Sequence, residues 1–193
     1  RQTALGKLKG RWCNPVIASI IFSVITSITG WFSETDSWAL ALVVIAVYLF
    51  VAIPLSVGYE LAILDVARGN FNVVSNMFST FNHYTRWLAL SLLRAVYVML
   101  WSLLLFVPGW IKSYSYAMAA YIAKDNPHFS AEECIDRSMQ MMKGYKMKLF
   151  LLDLSFIGWY LLGILTLGIG LFWVIPYHYT SRSCFYEELN SIQ

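Results

Sequence analysis

Long apolar stretches alternate with short polar breaks along the whole chain. Six stretches have the length and apolar character of membrane-spanning helices, namely residues 14–32, 38–66, 87–107, 109–123, 149–167 and 171–187. Backbone groups in lipid must form their hydrogen bonds within their own segment, so each stretch is expected to be a helix. The pattern therefore predicts an all-α, polytopic membrane bundle of six spans, with residues 1–193 forming a single transmembrane domain. The fourth stretch is the weakest prediction because it is short for a full crossing.

The connections between the stretches are of two kinds. The links at 33–37, 108–109 and 167–170 are so short that consecutive spans must turn back on each other. The spans are therefore predicted to form three hairpins, at 14–66, 87–123 and 149–187. The longer segments 1–12, 70–84 and 130–144 are predicted to be amphipathic helices at the membrane interface.

The segment 130–144 has the clearest helical pattern of these three. Ser130 and Glu133 have the spacing of a capping box, and Gly144 is a suitable stop. Ile135 and Met139 repeat at helical spacing on one face. Such a helix either lies in the headgroup layer or packs beneath the bundle, and the sequence leaves both arrangements open.

The basic residues predict the orientation of the bundle. Twelve of the 14 Lys and Arg residues fall before span 1, between hairpins or near the C-terminus, and only Arg94 and Lys112 do not. Cytoplasmic loops are enriched in Lys and Arg, so both termini are expected in the cytoplasm. Residues 1–12 contain no apolar signal-peptide core, and the first span is expected to be permanent.

An internal repeat is visible at the second helix of each hairpin. Pro54, Pro108 and Pro176 each follow a β-branched residue and precede a run of small, aromatic and polar residues. The segment 8–12 before span 1 also resembles the segment 142–146 before span 5. In the middle unit Asn82 stands at the glycine position, and asparagine tolerates a left-handed backbone. The pattern suggests three copies of one unit around a pseudo-threefold axis, although Pro54 lies deeper in its span than the other two.

Composition narrows the classes of function. Hydrophobic residues make up 59% of the chain and charged residues only 13%, against about 25% charged in soluble domains. The net charge of +3 is small and the basic residues flank apolar spans, so anionic lipid is an expected partner and nucleic acid is not. The three cysteines lack metal-ligand or disulfide spacing, and no metal site or cofactor is expected.

Several longer motifs resemble a known family. The stretch from Trp101 to Met118, the segment 123–127 and the stretches 148–159 and 165–177 are similar to a bacterial integral-membrane family of unknown function, domain of unknown function 975. The likeness extends more distantly to the membrane domain of some glycerophosphodiester phosphodiesterases. The resemblance implies a bacterial plasma membrane protein, and it supplies no reaction or ligand.

Ionisable and polar residues inside the spans are the candidate site. Charges in lipid are costly and are functional candidates by default, with Glu60–Arg94 and Arg94–Asp153 as conceivable ion pairs. The candidate residues are Glu60, Arg94, Lys112, Asp153, Tyr59, Tyr114, Tyr116, Tyr177 and His178. A structural ion pair, helix packing and an interfacial tyrosine belt are the competing interpretations.

No enzyme motif was found, and a catalytic role is not expected. The leading hypothesis is a non-enzymatic bundle that binds lipid or a partner in the bacterial plasma membrane. The partner would be a membrane protein or a second copy of the chain. The alternative is a small transporter or channel that uses a polar cavity in the inner leaflet.

Overall fold

The computed structural model describes residues 2–31, 42–43, 46–104 and 106–192, and these residues are helical with short connections. The helices are α1 (Gln2–Leu8), α2 (Cys13–Trp31), α3 (Ile53–Ala67), α4 (Val73–Phe78), α5 (Tyr84–Leu104), α6 (Phe106–Ser115), α7 (Ala119–Asp125), α8 (Ala131–Met141), α9 (Lys146–Leu154), α10 (Ile157–Leu165) and α11 (Leu171–Ile192). A π-helical turn, Tyr48–Ala52, leads into α3, and a 3₁₀ turn, Ser79–His83, leads into α5. The described residues contain no strand, in agreement with the all-α prediction.

Three helical stretches are long and apolar enough to cross a membrane. They are Tyr48–Ala67, Val73–Leu103 and Lys146–Leu165, and each overlaps one of the predicted spans. Cys13–Ser27 is apolar but shorter. The predicted turn at 33–37 lies outside the described residues.

Contacts between helices follow the repeat read from the sequence. The three units are α1–α3, α4–α7 and α8–α11, and each has a short first helix, an outer helix and an inner helix. The outer helices α2, α5 and α9–α10 each pack against the inner helix of their own unit. Each also packs against the inner helix of one other unit: α2 against α11, α5 against α3, and α9 against α6. This cyclic pattern is the one that a ring of three similar units requires.

Each of the three prolines lies in the first part of an inner α-helix. Pro54 lies at the start of α3 because the π-helical turn ends just before it. Pro108 is near the start of α6, and Pro176 is in the first third of α11. A proline has no N–H group to donate, so it fits best where an α-helical segment begins. The π-helical turn continues directly into α3, so Pro54 lies within the helical stretch Tyr48–Ala67, as Pro176 lies within α11.

The turns before the outer helices are less regular than the sequence suggested. Gly10 and Gly144 have φ angles of +77° and +85°, a backbone region that favours glycine. Asn82, which was predicted at the same position, has no positive φ and lies in the 3₁₀ turn before α5. The prediction of a left-handed Asn82 was wrong because this unit enters its outer helix through continuous helical turns.

The fourth apolar stretch is broken into α6 and α7, and α8 stabilises the break. The Ser138 hydroxyl donates to the Ser115 carbonyl over 2.7 Å and accepts from the Met118 N–H over 3.2 Å. Ser138 is fully buried, so it pairs backbone groups that the break would otherwise leave unsatisfied. Helix α8 begins with the predicted capping box between Ser130 and Glu133 and packs against α5 and α7. This packing agrees with the interpretation of segment 130–144 as a structural element of the bundle, and its place at the headgroup layer stays a prediction.

Candidate functional site

A hydrogen-bonded chain of three side chains lies between the outer and inner helices of the third unit. Asp153 of α9 contacts Nε2 of His178 on α11 over 2.8 Å. The other ring nitrogen, Nδ1, contacts the Tyr160 hydroxyl over 2.9 Å. Phe156 packs on the His178 ring with 4.6 Å between ring centroids. Both ring nitrogens are therefore engaged, and the ring is held in place by aromatic packing.

The carboxylate of Asp153 also faces a guanidinium. Arg182, one turn beyond His178 on α11, lies 3.5 Å from the second oxygen of Asp153. The sequence placed Arg182 on the basic, cytoplasmic side, whereas the structure places it among buried aromatic residues. Its side chain nevertheless keeps 23% of its surface accessible, and Asp153 keeps 19%. Neither side chain is therefore fully enclosed by the described residues.

The three units together supply one central cluster of polar residues around Tyr179. Glu60, Arg94, Asp153 and Arg182 all lie within electrostatic reach of Tyr179, and Tyr59 packs edge-on against its ring at 5.3 Å. Glu60 and Arg182 are also near Tyr121, and Tyr114 is near Asp153. We define the central cluster as Tyr59, Glu60, Arg94, Tyr114, Tyr121, Asp153, Tyr160, His178, Tyr179, Arg182 and Ser183. Its two carboxylates balance its two guanidinium groups.

Only half of these charges are paired within the described part of the chain. Asp153 pairs with Arg182 and His178, but Glu60 and Arg94 have no hydrogen bond or ion pair with any described residue. Both are half-buried. The predicted pairs Glu60–Arg94 and Arg94–Asp153 are therefore not formed, because Asp153 finds its partners on α11.

Three hydroxyl groups at the same place are also without a partner. Tyr59, Tyr121 and Ser183 are buried, and their hydroxyl oxygens make no hydrogen bond to any residue that the structure describes. The Tyr121 hydroxyl lies beside that of Ser183 without reaching hydrogen-bond geometry. Buried polar groups are normally hydrogen-bonded, so three unpaired hydroxyls beside two unpaired charges call for an explanation.

Three candidates from the sequence lie outside the central cluster. Lys112 extends over the Trp101 ring, with its Nζ 4.5 Å from the centroid and 4.0 Å from Sδ of Met139. Tyr116 packs against Tyr97 in the apolar core. Tyr177 turns away from the cluster toward an apolar groove. Sequence position alone could not separate these residues from Glu60 and Asp153, since the rotation of each helix decides which residues face the centre.

The groove beside Tyr177 has a volume of about 320 Å³ and runs between α1, α10 and α11. It is lined by Leu5, Trp12, Trp159, Leu162, Gly163, Thr166, Gly170, Trp173, Val174 and Tyr177. The Thr166 hydroxyl donates to the Gly163 carbonyl and accepts from the Gly170 N–H, so it is already satisfied. The groove therefore offers apolar and aromatic walls to a ligand.

A second group of charges joins the ends of the three inner helices. Arg68, at the end of α3, makes two hydrogen bonds to Asp125 at 2.6 and 2.7 Å and one to Glu187 at 2.8 Å. Tyr186 also donates to Asp125 over 2.8 Å. Lys124 is paired with Asp65 at 2.5 Å. We call these six residues the Arg68 node, and α3, α7 and α11 all contribute to it.

The node perturbs the charged groups in the expected directions. Burial acts to raise the pKa of Asp125, but the hydrogen bonds from Arg68 and Tyr186 outweigh it, and the pKa lies below its ordinary value. The hydrogen bonds of Arg68 to Asp125 raise the pKa of the guanidinium. Both groups are therefore held in their charged forms.

The sequence missed the whole Arg68 node and five residues of the central cluster, namely Tyr121, Tyr160, Tyr179, Arg182 and Ser183. Tyr179 could have been suspected because it follows His178 in the polar run after Pro176. The node residues lie at helix ends, where charges are ordinary, so no sequence signal distinguished them. Across the described ranges there is no group of three or more His, Cys, Asp or Glu residues placed to hold a metal ion.

The fold and site define an all-α protein with three helices suited to crossing a membrane and a polar cluster between its helices. Residues 103–193 match the model of a family described as "Protein of unknown function (DUF975)". This match covers slightly less than half of the chain and supports the resemblance over that part. No curated protein and no solved structure matches the chain.

Proposed function

We propose that the protein is a non-enzymatic, integral membrane bundle of the bacterial plasma membrane that binds a membrane lipid in the apolar groove. The chain would cross the bilayer six times as three hairpins, with both termini in the cytoplasm. The proposal rests on the three long apolar helices and on the distribution of basic residues. A non-enzymatic role is favoured because the sequence contains none of the common catalytic motifs.

The groove is the observation that carries the lipid-binding proposal. Its walls offer carbon atoms and aromatic rings, which suit an acyl chain better than a polar metabolite. Leu162 and Leu161 on the exposed side of α10 are 58% and 57% accessible, so the groove opens on a surface that is itself apolar. In a bilayer such a surface faces lipid, and an acyl chain can enter the groove directly.

The basic residues near the groove suit an anionic headgroup. Lys9 is exposed and lies in the chain between Leu5 and Trp12, which both line the groove. Arg11 is also exposed in this segment, with its guanidinium 4.5 Å from the centre of the Phe71 ring. Anionic lipid attracts such juxtamembrane basic residues by about 1 kcal/mol each. The expected ligand is therefore an anionic phospholipid with one chain in the groove.

Native mass spectrometry of the purified chain in a mixture of phosphatidylglycerol and phosphatidylcholine tests lipid binding. We expect retention of phosphatidylglycerol by the wild type and loss of that adduct in Leu162→Trp, which fills the groove. Leu161→Trp is the matched control, since Leu161 has nearly the same exposure but does not line the groove. Equal retention of both lipids, or equal loss in both variants, would overturn the proposal.

Cysteine labelling tests the membrane topology separately. In a variant without native cysteines, Leu167→Cys at the exposed turn after α10 should react with an impermeant maleimide added to intact cells. Arg137→Cys on α8 should react only after the cells are opened. The reverse pattern would contradict the proposed orientation.

A small transporter is the second candidate. It is favoured by the central cluster, whose charges are drawn from all three units and include the partly exposed Asp153 and Arg182. Flux of a solute into proteoliposomes that is lost in Arg94→Gln, while the protein still folds, would support it over a purely lipid-binding role.

A further inference from the structure

The central cluster holds charges that the protein itself leaves unpaired. Glu60 and Arg94 lie on two different helices within electrostatic reach of Tyr179, and neither reaches an ion-pair or hydrogen-bond partner among the described residues. A half-buried charge without a partner is costly between apolar helices. Asp153 and Arg182, in the same cluster, do form an ion pair with each other, so among the described charges of this cluster the lack of a partner is specific to Glu60 and Arg94.

The unpartnered hydroxyls point to the same place. The oxygens of Tyr59, Tyr121 and Ser183 are completely buried and form no hydrogen bond within the described chain. Tyr121 is near Glu60, and Tyr59 is near Tyr179 and Tyr160. A structural core would use phenylalanine and alanine at these positions, because an unsatisfied hydroxyl costs about 1–3 kcal/mol.

We infer that the central cluster is a binding site for a small zwitterionic group, with an ammonium facing Glu60 and a carboxylate or phosphate facing Arg94. The chemistry follows from what is unpaired: one carboxylate, one guanidinium and hydroxyls that can either donate or accept. A ligand with a single charge would leave either Glu60 or Arg94 without a counter-charge. The ligand group is either a free metabolite or the headgroup of an aminophospholipid, and both share this chemistry.

This site is distinct from the apolar groove. Of the residues on α11, Tyr177 lines the groove, whereas His178, Tyr179 and Arg182 belong to the cluster. Leu162→Trp, which fills the groove, should therefore leave zwitterion binding unchanged. Failure of lipid binding in the groove and failure of zwitterion binding in the cluster are separate results.

Thermal unfolding and calorimetric titration of the full-length chain in detergent test the inference with four probes. β-Alanine and phosphoethanolamine carry both charges, whereas ethylamine and acetate carry one each. We expect a saturable rise in Tm with at least one doubly charged probe and none with ethylamine or acetate. Nanodiscs with phosphatidylethanolamine, compared with phosphatidylglycerol alone, form the lipid arm. Stabilisation confined to the lipid arm identifies a headgroup, and binding of a soluble probe identifies a free ligand.

Substitutions link the binding to the cluster. Arg94→Gln should weaken it by more than about 30-fold, as expected for a desolvated charge partner. Tyr121→Phe should weaken the binding by about tenfold through one lost hydrogen bond. The fold should stay intact, because the Tyr121 hydroxyl has no hydrogen-bond partner among the described residues. Lys112→Gln, which removes a basic residue outside the cluster, should bind like the wild type.

Three results would overturn the inference. They are the absence of saturable stabilisation by any doubly charged probe or by phosphatidylethanolamine, an equal effect of the singly charged probes, and unchanged binding in Tyr121→Phe. The last variant keeps the test decisive if Arg94→Gln does not fold.

Discussion

The Arg68 node and the central cluster use the same residue types in opposite ways. At the node, Arg68 has two carboxylate partners, and the Tyr186 hydroxyl donates to one of them. In the cluster, Glu60 and Arg94 lack such partners among the described residues, and the Tyr121 hydroxyl is unsatisfied although its ring stacks on Tyr186 at 5.1 Å. The comparison suggests that the node holds the three inner helices together, whereas the cluster keeps polar groups available for a ligand.

Removing Arg68 should have the largest effect on stability. Arg68→Ala leaves Asp125 and Glu187 without their shared partner, and we expect the free energy of unfolding to fall by about 2 kcal/mol, less than for a fully buried pair. Denaturant unfolding in detergent measures the change. Arg137→Ala is the control, because Arg137 is exposed on α8 and has no ion pair in the described structure. A similar loss in both variants would mean that the ion pairs of Arg68 stabilise the fold no more than an exposed arginine does.

The two stacked tyrosines allow a closer comparison. Tyr186→Phe removes a hydrogen bond to the Asp125 carboxylate, so we expect a loss of about 1 kcal/mol in the free energy of unfolding. Tyr121→Phe removes a hydroxyl without a partner and should change stability by less than about 0.5 kcal/mol, or increase it. The same unfolding assay measures both. If Tyr121→Phe were the more damaging variant, the distinction between node and cluster would not hold.

Acid should weaken the node through Asp125. Its pKa is lower in the folded protein than the ordinary value of an aspartate, so its contribution to stability is present above that ordinary value, near pH 4. The contribution is lost as the pH falls through the folded pKa. Unfolding measured between pH 6 and pH 3 should show a decline that is shallower in Asp125→Asn. Parallel curves for the wild type and this variant would contradict the conclusion that charged Asp125 stabilises the node.

The smallest effect is expected at the unpaired charges. The double variant Glu60→Gln with Arg94→Gln keeps the net charge of the cluster and removes no observed ion pair. The free energy of unfolding without ligand should therefore stay within about 0.5 kcal/mol of the wild type, or rise. A loss comparable to that of Arg68→Ala would show that the two charges have a structural role in solution.

Much of the fold could be predicted from the pattern of apolar residues. Apolar stretches, short links and the three prolines are local features, and most of the helices overlap the stretches so indicated. The link predicted at 108–109 was wrong, because both residues lie inside α6, Phe106–Ser115. The capping box of α8 was predicted because its hydrogen bonds join residues three apart in the chain. The left-handed Asn82 was mispredicted, since a local sequence match does not determine how a segment enters its helix.

The pairing of side chains required the tertiary structure. The sequence drew attention to Glu60, Arg94, Asp153 and His178 because charged and polar residues are costly in apolar helices. It could not pair Asp153 with His178 across 25 positions, or bring Arg182 from the basic side into the cluster. Those outcomes depend on the rotation of each helix about its axis and on which inner helix each outer helix packs against. The residue types and their approximate depth are thus properties of the sequence, whereas the division into a satisfied node and an unsatisfied cluster is decided by packing.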